Sequence, residues 1–160
     1  MINNITKTDY GLEGKVEFKL FNTTIDVLMD EEIDLEYANF CAKELNNLDD
    51  EIINKLCEFS IIYCNDFCDD IGEEPPKFNT IKDVLKYIRP NCLIINIPKD
   101  DSKPVVHLEL NCDWEIEHGL EWTINDGKIL YVGSFNAENG WSEPSYYEEI
   151  TWNYAFNKQL

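Results

Sequence analysis

From Val106 to Trp114 the chain alternates without a break. Val106, Leu108, Leu110, Cys112 and Trp114 are apolar, and His107, Glu109, Asn111 and Asp113 between them are polar. A period of two is that of a β-strand, whose successive side chains point to opposite faces, so this segment belongs in a sheet with one face buried. Its register is tightly constrained, because a slip of one residue would turn every apolar side chain into water. Whatever else the chain forms must supply the other side of that core.

The rest of the pattern supplies it. Val16, Phe18 and Leu20, then Ile25, Val27 and Met29, alternate on either side of Asn22-Thr23 and predict two half-buried strands in a hairpin. From Ile33 the period changes: Ile33, Tyr37, Phe40, Cys41, Leu45 and Leu48 recur at three and four, which predicts an amphipathic helix. A second helix is expected from near Glu51, capped by Asp49 or Asp50, to about Asp70, with Leu56, Cys57, Ser60, Tyr63, Cys64, Phe67 and Cys68 on its inner face. Gly72 and Pro75-Pro76 stop it. Thr80 and Asp83 stand at capping-box spacing before a short helix that Pro90 ends.

Cys92 to Ile97 reads as a short buried strand, and Pro98 to Pro104 as a loop. Asp126-Gly127 is a two-residue hairpin turn between Leu120–Ile124 and Ile129–Val132, which sets Trp122 opposite Tyr131 and Ile124 opposite Ile129. The tail alternates at Ile150, Trp152, Tyr154 and Phe156, although Tyr147, Ile150 and Tyr154 also fit a helix. The expected fold is α+β: an N-terminal hairpin, two longer helices and a short one, then a mainly antiparallel sheet with helices on one face. At 160 residues one domain is expected, with a possible subdivision into 1–99 and 100–160.

Charge narrows the function classes. The chain carries 32 acidic residues against 13 basic ones, net -19, and residues 31–76 alone hold fourteen acids and two lysines. Such a surface repels nucleic acid and anionic membrane and speeds encounter with basic proteins. Arg89 is the single arginine, so no guanidinium cluster is present to grip phosphates. A polar Met1–Gly11 and the lack of any long apolar run predict a soluble, unexported, cytoplasmic protein, in which the six cysteines serve as reduced core residues.

At 100° per residue Glu51, Glu58 and Asp69 fall within about 20° of one another on the second helix, with Asp66 about 60° away and Ile62 inside the stripe. The stripe is either a solvated helix face or an acidic docking surface with Ile62 as apolar anchor. Trp141, in an aromatic surface loop, is tucked inward or offered to a partner. Cys64 and Cys68, four apart on one helix, have no matching Cys or His pair, and Asn111, Asp113, Glu115 and Glu117 lack the glycine-turned loop of a calcium site, so neither a metal nor a cofactor is expected. Glu117 beside His118 is the one candidate acid–base pair, and neighbours on a strand diverge unless a turn at Gly119 brings them together.

The string Trp114-Glu115-Ile116-Glu117-His118-Gly119, followed by an apolar strand, Asp126-Gly127 and a strand ending at Val132-Gly133, resembles a small W-x-x-E-H-G module of uncharacterised bacterial proteins. Several of these look like immunity proteins of polymorphic or contact-dependent toxin systems. The resemblance covers about residues 105–133; it implies an α+β fold in a bacterial cytosol and leaves the activity open. Together with the charge it gives the leading expectation: an acidic, non-enzymatic immunity protein that neutralises a basic toxin domain. A nuclease is the natural target, since a protein that binds phosphates is itself positive. The alternatives are a small hydrolase using Glu117 and His118, and an acidic housekeeping interaction domain.

Overall fold

The computed structural model describes residues 1–156. Seven strands form one sheet in sequence order: β1 (Asn3–Thr8), β2 (Gly11–Phe18), β3 (Thr23–Met29), β4 (Ile88–Ile95), β5 (Val105–Cys112), β6 (Leu120–Asn125) and β7 (Lys128–Gly133). All neighbours are antiparallel except β3 and β4. Parallel neighbours need a long crossover. Here it is made of α1 (Leu35–Leu45), α2 (Asp50–Ile71) and a 3₁₀ helix at Ile81–Tyr87. The α+β class, the hairpin, the two long helices and the short one follow the sequence expectation.

Local chemistry fixes the element ends. The Asp49 carboxylate accepts from the Ile52 amide at 2.8 Å to cap α2, and Gly72, at φ 73°, closes it in the left-handed region. Asp83 accepts from the amides of Asn79 and Thr80, both at 3.0 Å, and so fastens the start of the 3₁₀ helix. Asp126 and Gly127 both have positive φ, 48° and 75°, as the tight turn between β6 and β7 requires.

The core is built on one face of the sheet. A row of paired residues, Val27, Leu93, Leu108, Trp122 and Val132, crosses five strands, and all five are buried. On that face the Trp122 indole N–H donates to Ser60 Oγ of α2 at 3.0 Å, and the Ser60 hydroxyl donates to the Leu56 carbonyl at 2.7 Å. One core cluster draws on residues from both halves of the chain, and β4 pairs directly with β5 across the 96–104 loop. The opposite face is open over β2 and β3 but covered over β5 to β7 by residues 134–150, which include α3 (Pro144–Glu149); Leu130, Tyr131, Tyr147 and Ile150 make a second cluster there.

Several expectations are corrected. β1 was not anticipated, because Asn3–Thr8 is an edge strand exposed on nearly every residue and shows no apolar alternation. Leu20 leaves the first hairpin strand for a 3₁₀ turn at Lys19–Phe21. Pro90 does not stop a helix; it lies inside β4 at an irregularity in the pairing with β5, where its missing N–H is tolerated. Trp122 faces Val132 rather than Tyr131, because the register of β6 and β7 shifts by one between Thr123 and Ile124, which leaves Leu130 unpaired. Phe40 and Ile97, read as core residues, are 37% and 53% exposed. Among the described residues no helix is long and apolar enough to cross a membrane.

Candidate functional site

The acidic stripe of α2 divides into outward and inward members. Glu51, Glu58 and Asp69 are exposed. Glu51 is held by Lys55 one turn along at 2.8 Å, which neutralises that end of the stripe. Asp66 is half-buried and accepts the Tyr154 hydroxyl at 2.8 Å, so it fastens the C-terminal segment to α2. Burial, and then that bond, hold the Tyr154 hydroxyl protonated well above its ordinary range. Ile62 does not stand out in water as an exposed anchor; it is half-buried and packed against the core. Trp141 is tucked inward in the same way.

The Trp114–Gly119 string is a turn organised by Glu115, a residue the sequence offered only as one of four alternating acceptors for calcium. The Glu115 carboxylate is buried and accepts the Glu117 amide at 2.8 Å, the His118 amide at 2.9 Å and faces His118 Nδ1 at 2.9 Å. Gly119, at φ 67°, donates its amide to the Glu115 carbonyl at 3.1 Å; a Cβ there would stand 2.4 Å from the Leu110 carbonyl oxygen. Only glycine fits that position. Tyr63 of α2 donates its hydroxyl to the Gly119 carbonyl at 3.2 Å, which ties the turn to the helix. Glu117 and His118 make no bond to each other: His118 is committed to Glu115 with a side chain 65% exposed, and Glu117 points to solvent. An acid–base pair needs both groups within reach of one proton, and the carboxylate this turn sets beside the histidine is Glu115, not Glu117.

Beside the turn, a cleft of about 490 Å³ is lined by Phe67, Ile71 and Glu73 from the end of α2 and by Asp113 to His118. Ile116 is 84% exposed and Ile71 50%. Two apolar side chains thus stand in water beside Glu73 and Glu117. Asp113 is paired with Arg89, whereas Glu73 and Glu117 have no ion pair among the described residues.

A second polar constellation, invisible in the sequence, is buried on the opposite sheet face. His107 and Glu121 lie under the 134–140 loop, with His107 Nε2 3.0 Å from Glu121 Oε1 and Nδ1 3.1 Å from Asn96 Oδ1. Asn96 Oδ1 also accepts the Gly140 amide at 3.1 Å, which identifies it as the oxygen. Both ring nitrogens therefore face acceptors. Glu121 further accepts the amides of Asn136 at 2.7 Å and Glu138 at 2.6 Å, on either side of Ala137 at φ 55°, while Phe135 stacks over the His107 ring. This carboxylate straps the loop to the sheet. Strict alternation gave His107 a polar face, and only the cover of residues 134–140, far along the chain, makes that face an interior.

No curated protein and no solved structure matches the chain. One family model does, described as a domain of unknown function, DUF6985, over residues 1–139. The match takes in the whole sheet, both long helices, the Glu115 turn and the strap up to its last anchors on Glu121. By that match over most of its length, the chain belongs to the DUF6985 family.

Proposed function

We propose that this protein is an acidic, non-enzymatic binding protein that neutralises a basic partner, most concretely an immunity protein of a bacterial toxin system acting in the cytoplasm on a nuclease-type toxin domain. The observation that carries the reading is the cleft at the end of α2, where exposed Ile71 and Ile116 stand beside the carboxylates of Glu73 and Glu117. Interfaces concentrate their energy in a few desolvated apolar residues ringed by polar ones, and carboxylates around them select a cationic partner and raise the association rate. The alternative, a hydrolase using Glu117 and His118 together, has less behind it, since His118 Nδ1 pairs with Glu115 and not with Glu117.

Co-expression of the full chain with a panel of basic nuclease toxin domains tests this in a bacterial growth assay. Rescue of growth against at least one basic domain is expected, weakened by Ile116→Asp and by the pair Glu73→Lys with Glu117→Lys. No rescue across the panel, or rescue indifferent to all of these substitutions, would overturn it.

A further inference from the structure

At the opposite end of the sheet from the Glu115 turn, beyond the last residues of the parallel strands β3 and β4, the chain forms a second groove of about 450 Å³. Its lining is Ile33, Tyr37 and Phe40 of the segment that enters and forms the start of α1, Ile97 and Pro98 after β4, and four carboxylates, Glu32, Asp34, Glu36 and Asp101. Ile33 and Tyr37 are buried and form the floor; Phe40 and Ile97 stand up at the rim. These two are the residues that sequence periodicity assigns to the core and the structure leaves in water.

The charge at this groove is less compensated than at the α2 cleft. There, Asp113 is paired with Arg89 and Glu115 with His118. Here, among the described residues, none of the four carboxylates is in an ion pair. Asp34 is committed to capping α1 through the Glu36 amide at 2.8 Å, and Glu36 in the first turn is favoured by the helix dipole. Glu32 and Asp101, on loops to either side, have no such local explanation.

We infer that this groove is a docking site for a short cationic segment of a partner protein, one that sets an aliphatic or aromatic side chain between Phe40 and Ile97 and places lysine or arginine against Glu32, Glu36 and Asp101. Charge complementarity commits the occupant. A second copy of this chain would bring its own excess of carboxylate to four uncompensated ones, and an anionic lipid surface or nucleic acid would be repelled. The groove is distinct from the α2 cleft, so it extends the basic-partner reading to a second surface and stands or falls separately from it.

The test follows backbone amide resonances of the full chain while a short peptide is added, two leucines and a tryptophan flanked by lysines. Two control peptides replace the lysines by glutamate or the apolar residues by serine. Shifts should concentrate at residues 32–40 and 97–101, and affinity should fall with added salt. The pair Glu32→Lys with Glu36→Lys, and separately Phe40→Ser with Ile97→Ser, should each weaken binding by about tenfold or more, as should both controls. These substitutions change exposed side chains, and the same spectra report whether the fold is intact. Shifts confined to residues 66–74 and 113–118 would overturn the groove while leaving the proposed function standing. Absence of binding, or groove variants that bind unchanged, would overturn the groove, and growth rescue would then judge the function alone.

Discussion

Two buried carboxylates organise this protein, and each is a residue whose importance comes from the amides it gathers. Glu115 holds two backbone N–H groups and His118; Glu121 holds two more and His107. Removing such an acceptor strands several donors at once, and each unsatisfied buried group costs about 1–3 kcal/mol. The donors on Glu115 belong to exposed Glu117 and His118 and can turn to water, so Glu115→Ala is expected to destabilise the protein by about 1–3 kcal/mol in urea unfolding, whereas Glu117→Ala, exposed and without side-chain partners, should change it by less than about 0.5 kcal/mol. Equal effects at the two positions would refute this account of the turn. Glu121→Ala, which leaves His107 and the strap without their acceptor, should cost about 3–5 kcal/mol and expose the 134–140 amides to hydrogen exchange before the rest of the sheet opens. Uniform exchange across β5 to β7 and the loop would contradict the strap.

At the scale of elements, caps and turns carry the boundaries. Asp49→Ala removes the acceptor for the Ile52 amide and should cost about 1 kcal/mol, read as a lower urea midpoint at unchanged slope. The strongly periodic elements were legible in sequence: both long helices, the β5 alternation and the Asp126-Gly127 turn follow from residue spacing, because a half-buried surface imposes its period on the side chains. β1 was not legible, since an exposed edge strand has little to bury. The shifted register of β6 and β7 was hidden by a bulge at Leu130, which no single-residue preference announces. Site residues fared differently: Glu51, Glu58 and Asp69 lie on the outside as the helical angle predicts, while Ile62, inside the same stripe, is half-drawn into the core together with Asp66. His107 and Glu121 looked like the wet face of a strand and were covered only by a segment that follows β7.

For the whole molecule, burial of the cysteines ties stability to pH. All six cysteines are free and buried. Burial pushes the Cys57 thiol up from an ordinary 9.0 to about 11, and those of Cys64, Cys92 and Cys112 to about 12. In the unfolded chain these thiols lose their protons near pH 9, while the folded chain keeps them; between those values the native state binds more protons, so stability must fall as pH rises. The unfolding midpoint is expected to drop progressively from just above pH 9, and a cysteine reagent at pH 8 should label the four thiols only as fast as the protein opens. Rapid labelling of the native protein would show that the core is not closed around them.

The central claim concerns the -19 net charge and where its acid faces apolar side chains. The most direct measurement is the association rate of the full chain with basic nuclease domains, and with acidic ones of similar size, as salt is raised from about 50 to about 500 mM. The account predicts that at least one basic domain binds, that its association rate falls by about tenfold or more over that range, and that the acidic domains do not bind. A partner bound equally fast at both salt concentrations, or a preference for acidic domains, would contradict it.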